Sequence, residues 1–139
     1  MFFYKNIQHY HQQLTSGDST CLQAVKYYLQ QIEITKKLNA FTEVYADEAL
    51  QQALLLDEKR KNGEPLKKLH GVVIAIKDVI CYKGHLVTAS SKILRGFKSL
   101  YTATALQRLL DEDAIIIGSC NCDEFAMGSS NENSVYGNV

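Results

Sequence analysis

"GVVIAIKDVI", residues 71–80, is β-branched and apolar with little alternation, the pattern of a strand covered on both faces. Downstream, "TATALQRLLDED" (102–113) has the spacing of a helix and "AIIIG" (114–118) reads as a second buried strand. A helix between two such strands implies a crossover connection and a parallel or mixed sheet. The expected class is α/β, a mixed sheet flanked by helices.

Working back toward the N-terminus, Leu22, Val25, Leu29 and Ile32 recur at helical spacing from Thr20 onward. Gly17, Asp18 and Ser19 supply a turn and a candidate N-cap. A shorter helix is expected over about residues 4–14. "AFTEVY" (40–45) suits a short strand, and "ADEALQQALLLDEKRKNG" (46–63) a long helix with a basic last turn that stops at Gly63. The last segment, "NCDEFAMGSSNENSVYGNV" (121–139), begins with helical character and passes into a polar loop. Open α/β sheets place their sites beyond the strand C-termini, so this loop is positioned to line a pocket.

With 139 residues the chain is long enough for one domain with a core. Fifteen basic residues balance fifteen acidic ones, so no long-range field favours nucleic acid or an anionic membrane. The N-terminus lacks the apolar core and small-residue cleavage site of a secretory signal, and no stretch has transmembrane length and apolarity. Four cysteines without an export signal are expected to be reduced thiols, and the expected location is the cytoplasm.

Lys77 stands where a valine would cost nothing. An ammonium transferred into an apolar strand environment pairs with an acid or loses its proton, and a neutral amine can act as a base. The alternatives are an exposed strand end or a structural ion pair with Asp78 or another acid. "MGSSNENS" (127–134) offers serines and a glycine that lets backbone approach a ligand, or else an ordinary solvated loop. No phosphate-binding glycine motif is present. Cys120 and Cys122 form a C-x-C pair, but His9, His11, His70 and His85 have no spacing to complete a zinc site, so no metal is expected. His9 and His11 are expected on a solvated face. Asp123 and Glu124, being adjacent, point apart and make a poor acid/base pair; the expected role of these acids is to cap a short "DEFAM" helix at its N-terminus.

Together "GVVIAIKDVICYKG", "TASSKIL", "YTATALQRL" and "AIIIGSCNCDEFAMGSSNENSVYGNV" closely resemble the N-terminal part of amidase-signature enzymes. Within the family the pattern is nearest to the glutamine-hydrolysing chains of tRNA-dependent amidotransferases, and "DEFAMGSSNENS" is the most discriminating stretch. The resemblance extends weakly back through "NAFTEVYADEAL" and the first helices. Two departures are local: the family's "GKTNMDEF" is "GSCNCDEF" here, and Val73 replaces the usual proline.

The resemblance implies that residues 1–139 are the N-terminal portion of an amidase-signature domain, with helices over 4–62 and a sheet part over 66–139. It implies amide hydrolysis by a Ser, cis-Ser, Lys triad, in which Lys77 acts through a bridging serine as base for the nucleophilic serine. Both serines fall beyond Val139 in the family pattern, and Ser129 and Ser130 do not match them. Met127, Gly128, Ser129 and Ser130 are the implied pocket-lining residues. The chain by itself is therefore expected to be inactive and to carry no cofactor. The full enzyme would use ATP and Mg, take ammonia from glutamine, convert Glu-tRNA(Gln) to Gln-tRNA(Gln), and assemble with B and C subunits. Two other readings stay open: a fragment of another amidase of the family, and a non-catalytic interaction module with an unfinished sheet edge.

Overall fold

A computed structural model describes residues 2–139. Among them the elements run α1 (Ile7–Ser16), α2 (Cys21–Ile34), β1 (Phe41–Val44), α3 (Ala46–Lys61), β2 (Val73–Lys77), α4 (Thr104–Asp111) and β3 (Ile115–Cys120). Short 3-10 turns lie at Lys36–Leu38, Lys92–Leu94 and Glu124–Ala126. The three strands form one sheet in the order β1-β3-β2. β1 is antiparallel to β3, with Phe41 opposite Cys120 and Val44 opposite Gly118. Between β2 and β3 the bonds Ile115 N to Val72 O and Asp78 N to Cys120 O advance together along both strands, so this pair is parallel. The sheet is mixed, as the strand–helix–strand pattern predicts.

The chain divides into two compact units, each assembled from separated segments. Among the described residues the first comprises 2–33, 45–74 and 109–117. Its buried side chains include Tyr10, Leu14, Val25, Ala53, Leu56 and Ile115–Ile117. The start of α2 is built by local chemistry in this unit. Thr20 Oγ1 accepts from Gln23 N and Gln23 Oε1 accepts from Thr20 N, a reciprocal capping box. Asp57 of α3 accepts from the next two amides, Cys21 N at 2.9 Å and Leu22 N at 3.0 Å. The cap expected at Gly17–Ser19 thus falls at Thr20, because the following glutamine completes a pair that Ser19 could not form. Residues 4–6 precede α1, which starts after Asn6 takes the amide of His9 on its side chain.

The second unit comprises residues 34–44, 75–108 and 118–139. Its buried set is unusually polar: Asp78, Thr88, Ser90, Ser91, Ser99, Ser119, Asn121 and Asp123 accompany Ile76, Val87 and Leu106. Buried polar groups require partners, and here those partners determine the loop conformations.

β3 is covered along nearly its whole length, as expected for a central strand. β2 is not. It is an edge strand in this sheet, with Ile76 buried, Val73 and Ile74 half-buried, and Ala75 and Lys77 exposed. The expected cover on both faces is therefore missing among the described residues. An apolar run specifies what a strand can bury, whereas residues remote in sequence decide what reaches it.

Candidate active site

The second unit places Asp78, Thr88, Ser90, Ser91, Asn121 and Asp123 around the C-terminal ends of β2 and β3, where α/β folds carry their sites. Asp78, the residue after β2, is 2% exposed. One carboxylate oxygen accepts Thr88 N at 3.0 Å; the other accepts Ser90 N at 3.0 Å and the Thr88 hydroxyl at 2.5 Å. The Asp78 carbonyl also accepts Ala89 N at 2.8 Å. These bonds hold a turn in which Ala89 and Ser90 adopt positive φ, 49° and 52°, a conformation non-glycine residues reach only at a cost. The donors converging on Asp78 offset that cost.

The same turn anchors the two segments that follow β3. Ser90 Oγ donates to Asn121 Oδ1, Ser91 Oγ donates to Glu124 Oε1 at 2.6 Å, Phe125 N donates to Ala89 O at 2.8 Å, and Val135 N donates to Ser90 O at 2.9 Å. Asn121 is a second junction. Its Nδ2 donates to Asn39 O and Gly137 O, while Oδ1 accepts from the Ser134 hydroxyl.

Asp123 does not cap the 3-10 turn that follows it. Its carboxylate reaches instead across the loop to Asn131 N at 2.9 Å, Glu132 N at 2.9 Å and Asn133 N at 3.2 Å. The amide of Asn131, with those of Asn133 and Glu132, holds this carboxyl below the usual carboxylate range. The expected helix cap is corrected: in a turn of only Glu124–Ala126, Phe125 N is taken by Ala89 O and Ala126 N by the Asp123 carbonyl, so neither amide is left for the side chain.

Lys77 is exposed at the end of β2, and no hydrogen bond or ion pair of its ammonium occurs among the described residues. Of the readings left open for Lys77, the exposed strand end is the one found among residues 2–139. That removes the ion pair with Asp78, whose carboxylate is committed to Thr88 and Ser90. Met127, Gly128, Ser129 and Ser130 are likewise exposed, Met127 by 75%. Lys77 and this loop are linked through Asp78, the 88–91 turn and residues 121–125 rather than by direct bonds.

Sequence reasoning passed over Asp78, Thr88, Ser90, Ser91 and Asn121 as site architecture. A usable signal existed in Asp78, an acid adjoining an apolar strand that must find donors if buried. The four cysteines are free. Cys122 lies beside Ser90 Oγ, and burial pushes the Cys120 thiol upward. No group of three or more His, Cys, Asp or Glu side chains among the described residues is arranged to hold a metal. His11, expected on a solvated face, is half-buried, with a ring nitrogen on His70 O at 3.1 Å; burial lowers its pKa.

Residues 23–139 match the family model for amidases. The A subunit of the glutamyl-tRNA(Gln) amidotransferase of Chlorobaculum tepidum is 50% identical over 126 residues, 91% of this chain and 26% of that protein. The protein of the same name from Brachyspira hyodysenteriae is 55% identical over 101 residues, 73% of this chain and 21% of that one. The chain thus spans about a quarter of the length of these curated relatives. Among solved structures, the peptide amidase of Stenotrophomonas maltophilia superposes with a TM-score of 0.84 at 26% identity, over 96% of this chain and 29% of its own. A bacterial aryl acylamidase shares the fold with a TM-score of 0.88 at 22% identity, over 96% of this chain and 28% of its own. A strand that ends in Lys77, a parallel neighbour that leads into "NCDEFAMGSSNENS", and matches along nearly the whole sequence lead to one assignment: the chain belongs to the amidase family.

Proposed function

We propose that residues 1–139 are the N-terminal part of the glutamine-hydrolysing A subunit of a tRNA-dependent amidotransferase, which supplies ammonia for converting Glu-tRNA(Gln) to Gln-tRNA(Gln) in the cytoplasm. The observation that carries this reading is the 50% identity to such an amidotransferase chain over 91% of the sequence. Its B and C subunits would be the partners. ATP and Mg would serve the activation of glutamyl-tRNA elsewhere in that complex.

In this reading Lys77 is the base of a Ser, cis-Ser, Lys triad whose two serines come from sequence beyond residue 139. A neutral amine takes a proton from the bridging serine, which takes one from the nucleophile as it attacks the glutamine carboxamide. The base must be desolvated to be neutral near pH 7. Since Lys77 is exposed here, that cover must come with the serines. The chain's own contribution is the scaffold: β2 delivers Lys77, Asp78 fixes the adjoining turn, and that turn seats the loop at Met127–Ser130.

The test is a chimera in which residues 1–139 replace the matching segment of the Chlorobaculum tepidum protein, co-expressed with its partner subunits. Glutamine-dependent ammonia release that falls about a thousandfold on Lys77→Ala is the expected result. An assembled chimera that releases no ammonia, or one indifferent to Lys77→Ala, overturns the assignment. If ammonia release favours another amide over glutamine, a different amidase of the family is the right reading.

A further inference from the structure

We propose that Asp123 is a positioning residue for glutamine binding, shaping the 127–133 loop by binding its backbone from behind; the inference rests on the amidotransferase reading above. Its side chain is directed into the loop. Asp123 is 5% exposed, and three consecutive amides, Asn131, Glu132 and Asn133, donate to its two oxygens. Gly128 lies directly against the same carboxylate: a Cβ at that position would overlap Asp123 Cγ and Oδ2. One side chain therefore holds both limbs of the loop, contacting Gly128 on one and bonding 131–133 on the other.

The loop would not choose this shape by itself. Phe125, Ala126 and Asn131 sit at φ 53°, 58° and 57°, where side chains crowd the backbone. Three residues in that region need an external restraint, and amide bonds to a charged acceptor are stronger than neutral ones. At the loop's start, Glu124 on Ser91 Oγ and Phe125 N on Ala89 O fix it to the turn that Asp78 holds beside Lys77. Asp123 consequently sets where Met127–Ser130 stand relative to Lys77, its oxygens being taken by the loop's own amides. Displacing a substrate-holding segment by about 1 Å costs on the order of a hundredfold in efficiency.

The experiment compares Asp123→Asn, Asp123→Ala, Gly128→Ala and the Asp123→Ala/Gly128→Ala double variant in the chimera. Asparagine keeps the size of the side chain but turns an amino group toward amide donors. Asp123→Asn is expected to raise the KM for glutamine about tenfold or more, with kcat changed by less than about threefold. Loss of folded enzyme lowers the apparent kcat and leaves KM alone, so the KM readout separates positioning from simple instability. Gly128→Ala is expected to raise KM similarly, and the double variant to be no worse than Asp123→Ala alone, since the added methyl then enters the vacated space. A glutamine KM within about twofold of wild type in Asp123→Asn, or independent effects of the two positions, overturns the proposal. Should Asp123→Asn not assemble, the comparison of Gly128→Ala, Asp123→Ala and the double variant decides it. A wild-type chimera without Lys77-dependent glutamine hydrolysis overturns the amidotransferase reading itself, and this inference with it.

Discussion

The carboxylate of Asp78 lies 3.0 Å from the backbone nitrogen of Ser90, twelve residues away, and this bond ties the end of β2 to the turn that seats the loop after β3. Asp78 also takes the amide and hydroxyl of Thr88, so a single buried side chain satisfies three donors and holds two residues at positive φ. The position of Lys77 relative to the candidate pocket loop depends on that cluster more than on β2 alone.

Replacing Asp78 with alanine leaves Thr88 N and Ser90 N buried without acceptors and releases the strained turn. The expected loss is about 3 kcal/mol of stability, read by urea unfolding of the purified chain. Amide exchange should speed up at Phe125 and Val135, which dock on the turn, before it does at Ile115, whose bond to Val72 lies in the first unit. Uniform loss of protection everywhere would contradict a local role.

Asp123 gives a pH dependence of definite sign. Its amide partners lower the folded carboxyl below its ordinary value of 3.8, so the stabilisation is complete above that value. It is lost as pH falls through the lower folded value. The amide proton shifts of Asn131, Glu132 and Asn133 should stay flat from neutral pH down to about 4 and move together only below 3.8. A joint transition above the ordinary value would show that these amides do not bind the carboxylate.

Gly71 is a packing prediction in the first unit. Its φ is +74°, and a Cβ there would sit 2.5 Å from Cys21 Sγ and 3.1 Å from the Tyr10 hydroxyl. Gly71→Ala therefore combines backbone strain with overpacking and should cost about 2–3 kcal/mol, seen as a lowered Tm. Gly63→Ala is the control, because it shares a positive φ of 80° but meets no atom within 4 Å. It should cost distinctly less.

Cysteine chemistry separates the thiols. Burial, and then the charge of Asp57, push Cys21 up to about 12, so at pH 8 only about one molecule in ten thousand carries the thiolate there. Cys81, half-exposed, should be alkylated by iodoacetamide well before Cys21 in the native chain, as followed by peptide mass spectrometry. Equal rates would mean that the first unit opens on the timescale of labelling.

The helices, the strand–helix–strand order and the mixed sheet were legible in the residues because periodicity and cap chemistry act over a few neighbours. Leu22, Val25, Leu29 and Ile32 announce α2, and Thr20 with Gln23 fixes where it starts. The family was legible for the same reason, through contiguous motifs such as "DEFAMGSSNENS". Which partner each polar group finds was not, since those partners lie far apart along the chain. Asp123 reads locally as a cap for "DEFAM", yet its bonds are to residues 131–133. Lys77, at the end of an apolar strand, left burial, ion pairing and exposure open, and it is exposed. Propensity and pattern, set by near neighbours, determined the elements and their order. Burial and hydrogen bonding of Lys77, Asp78 and Asp123 were decided only when the folded backbone brought, or failed to bring, distant atoms within reach.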